Sequence, residues 1–235
     1  MRVVFVHGAC VRDGAWWWHP AAAVLRGHGI GSAAPALPSC GEDGRPAGHG
    51  GPGLAEDVAA VRAVLTDGDE PTVLVVHSYG GIVAAEAALG VAAVRHLVLV
   101  SSYLPEPGQS LGDFGAAQPP PYLDVDPAGG TFGARPELFA ETYVHDCPPD
   151  LARGAAERLV RQSLVVTGQP VAAAAWRDLP TTYLVCARDR GTPAAAQREF
   201  ARRADTVVEV AAGHHPFLSR PEAVADVVMT AAGAC

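Results

Sequence analysis

Lysine is absent from this chain: all 17 basic residues are arginine. Together with the abundance of alanine, that pattern is a compositional bias rather than a functional signal. Basic residues are also outnumbered, which gives a formal net charge of -8 over 235 residues. Nucleic-acid binders concentrate positive charge on one face, so no nucleic-acid partner is expected. Also missing is any apolar run approaching the roughly 20 residues that cross a bilayer, so no membrane partner is expected either. The amino terminus offers no signal peptide, because the apolar run Val3-Val4-Phe5-Val6 is broken at once by His7 and Gly8. A cytoplasmic address is the resulting expectation. The five cysteines (Cys10, Cys40, Cys147, Cys186 and Cys235) are odd in number and contain no C-x-x-C pair. Neither a disulfide framework nor a zinc knuckle is therefore expected, and reduced thiols are the simplest reading. What the chain does have is apolar content, with 49% hydrophobic against 18% charged residues. That balance excludes disorder, and the length suits one globular domain carrying an inserted cap.

Short Val-rich runs alternate with segments of helical period, the pattern of a parallel sheet covered by helices on both faces. The spacing predicts six strands, at 2–7, 30–34, 72–77, 94–101, 181–186 and 206–210. Helices are predicted at 17–27, 53–65, 78–89, 193–203 and 221–232, each bounded by Gly or Pro. The alternation stops between Leu104 and Trp176. A structureless loop of that length is implausible in a compact domain. Residues 104–176 are therefore expected to form a partly helical cap, with helix around 151–163, over a core made of 1–103 and 177–235. Its aromatic residues Phe114, Tyr122, Phe132, Phe139 and Tyr143, with Tyr103 just before it, are candidates for substrate contact.

The chemistry concentrates in Val73-Leu74-Val75-Val76-His77-Ser78-Tyr79-Gly80-Gly81. A buried strand that runs into a serine, two glycines and a helix has the context of a nucleophile elbow. The tight turn demands small neighbours, and the helix amino terminus brings free N–H groups and a positive dipole end to the reacting oxygen. A serine N-cap after a glycine-rich turn is the plain alternative. A base and an orienting acid should follow in the order Ser, acid, His. Asp189 lies just past the predicted strand 181–186, and His214 and His215 lie in the loop after 206–210. These positions fall at the carboxyl edge of a parallel sheet, where open α/β folds place their sites. His214 is the candidate base, because Gly213 frees the loop to aim the ring and Pro216 begins the descent into the last helix. A metal at the adjacent histidines would lack acidic or Cys ligands at suitable spacing, so no metal is expected. His77 lies on a strand end that points it away from the nucleophile, which suits a structural role. An oxyanion hole needs two backbone donors. The candidates are the N–H of Tyr79, next after the nucleophile, and that of Ala9 in the loop His7-Gly8-Ala9-Cys10. Gly8, Cys10 and His215 join the candidates for substrate contact.

With these residues in hand, the chain resembles the α/β-hydrolase superfamily, and within it the plant methylesterase and hydroxynitrile lyase group with its bacterial relatives. His7-Gly8-Ala9-Cys10 followed by Gly14-Ala15-Trp16, and the elbow around Ser78, are similar to that group's oxyanion loop and elbow. So are the run from Tyr183 through Asp189 to Pro193 and the loop from Gly213 to Pro221. Echoes within the cap are Asp146-Cys147-Pro148-Pro149-Asp150-Leu151 and Leu159-Val160-Arg161-Gln162-Ser163. The resemblance implies an α/β-hydrolase fold with a mostly parallel six-stranded sheet, helices on both faces and a cap inserted after the fourth strand. It also implies Ser78, Asp189 and His214 as the catalytic triad, with Ala9 and Tyr79 as oxyanion donors. Two features depart from the pattern. Val76 stands where the elbow normally has glycine, and its β-branch is expected to crowd the turn. The lyases of the group carry Lys after the catalytic His and Thr where Gly8 stands, whereas this chain has His215 and no lysine.

Three functions fit this reading. The first is hydrolysis of a carboxylic ester or lactone of a small to medium hydrophobic substrate through an acyl-enzyme on Ser78, with no cofactor. The second keeps the triad but ends in acyl transfer, cyclisation or lyase chemistry on a biosynthetic intermediate, as a water-excluding cap would favour. The third is a non-catalytic receptor on the same fold. The expected partner is a small ester-like molecule, and the chain is expected to be a monomer or a homodimer.

Overall fold

Val-rich strands that alternate inward on two faces need cover on both sides, and the helices supply it. A computed structural model describes residues 1–115 and 118–233; Cys235 lies outside them. The main sheet contains β1 (Arg2–Val6), β2 (Gly31–Ala33), β3 (Thr72–His77), β4 (Val94–Val100), β8 (Thr181–Cys186) and β9 (Thr206–Val210). Its strand order is β2-β1-β3-β4-β8-β9, and every neighbouring pair is parallel. This is the α/β-hydrolase fold that the resemblance implies.

Val4, Val6, Leu74 and Val76 face a core built with α2 (Leu54–Leu65), α3 (Gly80–Ala87) and Ala201 of α6 (Ala194–Ala201). Val3, Phe5, Val73 and Val75 face the opposite core, built with α1 (Gly14–Gly27) and α8 (Pro221–Gly233). There Trp18 is stacked on Phe5 at 4.5 Å between ring centroids and tilted against Phe217 at 4.0 Å. Residues buried on both faces explain why β3 reads as a continuous apolar run rather than an alternating one.

Between β4 and β8 the chain leaves the main sheet. This insertion holds a second, antiparallel sheet of β5 (Leu123–Asp126), β6 (Thr131–Ala134) and β7 (Gln162–Ser163), with α4 (Pro136–Tyr143) and α5 (Pro149–Ala156). The helix expected around 151–163 stops at Ala156, and after a turn at 157–158 the chain leaves the helical path. Residues 158–160 pair with the loop that follows β1: Val11 bridges Leu159, Arg12 N–H donates to Arg158 O at 3.0 Å, and Val160 N–H donates to Cys10 O at 3.0 Å. Tertiary pairing overrides the helix-compatible composition there. Among the described residues no helix is long and apolar enough to cross a membrane.

Because all six main strands are parallel, the segments leaving β1, β3, β4, β8 and β9 emerge at one edge. The chain runs from β1 outward to β2 and then returns to β3 on the other side of β1. The crevice where strand order reverses is where open α/β sheets bind ligands.

Candidate active site

Ser78 joins β3 to α3 with φ +49°. That left-handed backbone costs a residue with a Cβ about 1–2 kcal/mol and keeps Ser78 outside the helix, which begins at Gly80 rather than at 78. The surroundings hold it there. Ser78 N–H donates to Val100 O at 3.3 Å, and Ser78 O accepts the Ser102 hydroxyl at 2.6 Å. A Cβ on Gly80 would lie 3.0 Å from Val6 O, and one on Gly81 only 2.3 Å from Tyr103 O. Gly8 is equally confined, since a Cβ there would meet His77 Nδ1 at 2.9 Å and the Cβ of Ser78 at 3.1 Å. Val76, where crowding is expected, turns its side chain into the core. It is fully buried there with Val6 and Ile82.

Asp189 follows β8, and His214 lies in the loop between β9 and the short α7 (Pro216–Ser219). His214 Nδ1–H donates to Asp189 Oδ2 at 2.7 Å. This bond fixes the tautomer and leaves Nε2 as the basic nitrogen. Asp189 accepts four further hydrogen bonds. Ser101 Oγ–H and Gln197 Nε2–H reach Oδ2 at 2.6 and 2.9 Å, and the N–H groups of Gly191 and Thr192 reach Oδ1 at 2.8 and 2.9 Å. Burial acts to raise its pKa, but the neighbouring His214 and the donors from His214, Ser101 and Thr192 outweigh it and hold the carboxyl below its ordinary value. The ring of His77 lies 4.5 Å from that of His214, and its Nε2–H donates to His214 O at 2.9 Å. His77 thus ties the strand that carries Ser78 to the loop that carries His214.

The loop after β1 approaches Ser78 from the other side. His7 anchors it, with Nδ1 against Gly8 O and Nε2 against Glu42, both at 2.8 Å. Cys10 adopts φ +61°, and its N–H is taken by Gln162 Oε1 at 3.0 Å. Among the described residues, the N–H groups of Ala9 and Tyr79 have no protein acceptor.

A family model described as "Alpha/beta hydrolase family" matches residues 3–227. The chain belongs to the alpha/beta hydrolase family. It is 28% identical over 198 residues to "Alpha/beta hydrolase nvfD" of Aspergillus novofumigatus, covering 77% of this chain and 79% of that one. Among solved structures it is similar to a pyrethroid hydrolase from Sphingobium faniae JZ-2, with TM-score 0.86, 24% identity and coverage of 100% and 98% of the two chains. It is also similar to a methylesterase from Arabidopsis, with TM-score 0.77, 19% identity and all of both chains covered. The plant methylesterase group named by the motifs is thus among the structural neighbours of this alpha/beta hydrolase.

The other candidate contact residues of the hydrolase divide into two sets. Tyr143 lies 5.1 Å from His214 between ring centroids and 5.5 Å from Tyr122, whose hydroxyl donates to Gly191 O at 2.6 Å. Tyr103 packs tilted against Phe114 at 5.1 Å between ring centroids, and its hydroxyl faces Thr192 and Ser78. Phe132 and Phe139 are instead buried in the two cores, Phe132 on the face of α2 and α3 and Phe139 on that of α1. The Cys10 thiol is also buried, and its pKa is pushed up by desolvation. His215 donates from Nδ1 to Tyr143 O at 3.0 Å and lies 4.8 Å from Trp17, and burial beside His214 lowers its pKa to about 3. It is a neutral donor at physiological pH.

Sequence reasoning missed Ser101, Gln197 and Asp146. Ser101, at φ +42° after β4, and Gln197 on α6 complete the donor set of Asp189. Asp146, from the insertion, accepts Gly213 N–H at 2.7 Å and the Ser219 hydroxyl at 3.0 Å, which braces the histidine loop from both ends. Two signals were available: Ser101 stands at the end of a strand, at the site's edge, and Asp146 opens one of the two motif echoes in the insertion.

Proposed function

We propose that this alpha/beta hydrolase is a serine hydrolase that cleaves a neutral carboxylic ester or lactone through an acyl-enzyme on Ser78. The observation that carries the reading is the Asp189–His214 pair at 2.7 Å, which leaves His214 Nε2 free on the edge where Ser78 is held at φ +49°. In the first half-reaction Nε2 takes the Ser78 hydroxyl proton while Oγ bonds to the substrate carbonyl carbon. The resulting oxyanion accepts from Ala9 and Tyr79 N–H, two donors with no protein acceptor of their own. Collapse expels the alcohol, which receives the proton from His214. Water then attacks the acyl carbon, giving its proton to His214, and collapse releases the acid as the proton returns to Ser78 Oγ. Asp189 holds the imidazole and stabilises its cationic form throughout, with no cofactor.

The walls favour an uncharged, hydrophobic substrate. Tyr103, Tyr122 and Tyr143 surround the histidine end with ring faces and hydroxyls, and His215 is neutral. The test is turnover of p-nitrophenyl esters by wild type and Ser78→Ala, run in heavy-oxygen water. Loss of activity in the variant, with label in the acid product of wild type, is expected. Activity that survives Ser78→Ala refutes the nucleophile, and release of nitrophenol with the acyl group recovered in a new ester or lactone, and no labelled acid, refutes hydrolysis in favour of acyl transfer.

A further inference from the structure

The two candidate oxyanion donors belong to segments far apart in sequence, yet one buried line of hydrogen bonds joins them. Gln162, on β7, accepts Cys10 N–H on Oε1 at 3.0 Å and donates from Nε2 to Ser39 Oγ at 2.8 Å. Ser39 donates its hydroxyl proton to Asp57 Oδ2 at 2.5 Å and its N–H to Oδ1 at 2.8 Å. Tyr79 closes the line, donating its hydroxyl to Asp57 Oδ2 at 2.8 Å. Gln162, Ser39, Asp57 and Tyr79 are wholly buried, and Cys10 nearly so.

The chemistry of each link selects glutamine. Cys10 N–H needs an acceptor, whereas Ser39 Oγ, with its proton committed to Asp57, needs a donor. A glutamine amide supplies both from one side chain. Ionised glutamate would supply only the acceptor, and leucine would supply neither. The consequence falls on the neighbouring residue. With Cys10 at φ +61° and its N–H drawn into the protein by Gln162, the preceding N–H, of Ala9, is the donor left free near Ser78. The backbone pairing of 158–160 with 10–12 holds the same loop from the outside.

We infer that Gln162 is a positioning residue for the oxyanion hole, setting the Ala9 N–H through Cys10 and tying that loop to the Tyr79 segment through Ser39 and Asp57. The inference rests on the reading of Ser78 as nucleophile and of Ala9 and Tyr79 as donors. It makes the insertion part of the catalytic apparatus as well as a cover. A substrate that displaces residues 158–162 displaces the Ala9 N–H with them.

The test compares wild type, Gln162→Leu, Gln162→Glu, Ser39→Ala and Ser78→Ala on p-nitrophenyl butyrate. A trifluoromethyl ketone, whose serine adduct carries an oxyanion, serves as a transition-state probe. Gln162→Leu is expected to lower kcat by about 10- to 100-fold with KM within about twofold of wild type. The inhibition constant of the ketone should rise by the same factor as kcat/KM falls. Gln162→Glu is expected to recover toward wild type as pH falls from about 8 to about 6, when a protonated carboxyl regains the donor for Ser39. The ratio of variant to wild-type kcat/KM removes the common titration of the triad. The ionisable groups around that side chain include Asp57 from α2, Tyr79, Cys10, Cys40, Glu42 and the neighbouring Arg161; the Asp57 carboxylate favours the protonated glutamate, and the Arg161 guanidinium opposes it. Ser39→Ala should reproduce part of the kcat loss. Wild-type kcat and ketone affinity in Gln162→Leu, or a rise in KM alone, overturns the inference while the dependence on Ser78 stands. Activity in Ser78→Ala overturns the nucleophile reading and the inference with it. Should Gln162→Leu fail to fold, wild-type kinetics in Ser39→Ala together with a flat pH ratio for Gln162→Glu overturns it.

Discussion

Replacing Ser101 by alanine removes one of five donors from the Asp189 carboxylate. The serine is fully buried, and its hydroxyl reaches Oδ2 at 2.6 Å, the same oxygen that accepts His214 and Gln197. A hydrogen bond to an ionised group contributes about 1.5–3 kcal/mol. Alanine keeps the strained φ of +42°, so nothing offsets the loss. For a chain of this size each kcal/mol moves Tm by about 2–4 °C, which predicts a drop of about 3–12 °C at neutral pH. Ser101→Gly loses the same bond but relieves about 1–2 kcal/mol of left-handed strain, against about 0.5–1 kcal/mol of extra chain entropy. It should therefore be more stable than Ser101→Ala. Activity should fall by less than about tenfold in either variant, because Gln197 and two backbone N–H groups still hold the acid.

The pH dependence separates this account from simple loss of packing. Asp189 has a lowered pKa in the folded protein. Its ionisation therefore adds stability above the unfolded carboxyl value, and that stability is lost as pH falls through the folded value. Ser101 is one of the donors that lower this pKa, so the acid-unfolding midpoint of Ser101→Ala should lie at higher pH than that of wild type. Once Asp189 is protonated, the missing bond is a neutral one worth about 0.5–1.5 kcal/mol. The gap in unfolding free energy between the two proteins should accordingly narrow on acidification. Urea unfolding at a series of pH values from about 7 down to about 3 measures it. A gap independent of pH, or no gap at neutral pH, refutes the assignment of Ser101 to the carboxylate.

Two further predictions concern the same edge. His215 titrates near 3 when folded and near its ordinary value of about 6.5 when unfolded, so it contributes stability above about pH 6.5 that is lost as pH falls, at up to about 1.4 kcal/mol per unit. His215→Gln keeps a donor for Tyr143 O and should show a shallower decline between about pH 6.5 and 4 in urea unfolding; an equal slope would place the titrating group elsewhere. Gly81→Ala puts a Cβ 2.3 Å from Tyr103 O, a backbone atom, and should destabilise by at least about 1–3 kcal/mol. Gly27→Ala, at the exposed end of α1 with nothing within 4 Å, should be neutral or up to about 1 kcal/mol stabilising, and equal melting of the two variants would contradict the packing of the elbow.

The strands β1, β3, β4 and β8 were legible because they are buried on both faces and cannot avoid being largely apolar. The candidates Ser78, Asp189 and His214 were legible because parallel strands send every following residue to one edge. Strand order leaves no mark on local pattern, and with it went Ser101. Only the adjacency of β4 and β8 brings that hydroxyl to Asp189. Gln197 is equally silent, a polar residue on a helix whose burial depends on α6 packing against β8. The insertion's small sheet escaped because β7 has two residues and Leu123-Asp124-Val125-Asp126 alternates too briefly to stand out. The helix expected at 151–163 failed for a related reason. Its residues are compatible with helix, but the backbone groups of Arg158 and Val160 are claimed by the β1 loop.

These findings divide the site into two halves with different supports. The acid and base rest chiefly on the main sheet: Asp189 follows β8, Ser101 follows β4, Gln197 comes from α6, and His77 ties His214 to β3. The loop after β1 is bonded instead to the insertion, through the pairing of Cys10 and Arg12 with Arg158 and Val160 and through Gln162. Substitutions in residues 158–162 should therefore alter the alignment of the developing oxyanion while leaving the Asp189–His214 pair unchanged. Those in the tyrosines near His214 should act on substrate fit. On the proposed reading the insertion bears on both stabilisation of the transition state and choice of substrate, and through Asp146 it also braces the loop of His214. On that reading Asp189 and its donors are held by the main sheet and α6, whereas the loop of Ala9 is held in large part by the insertion, so substrate choice can vary around a constant acid.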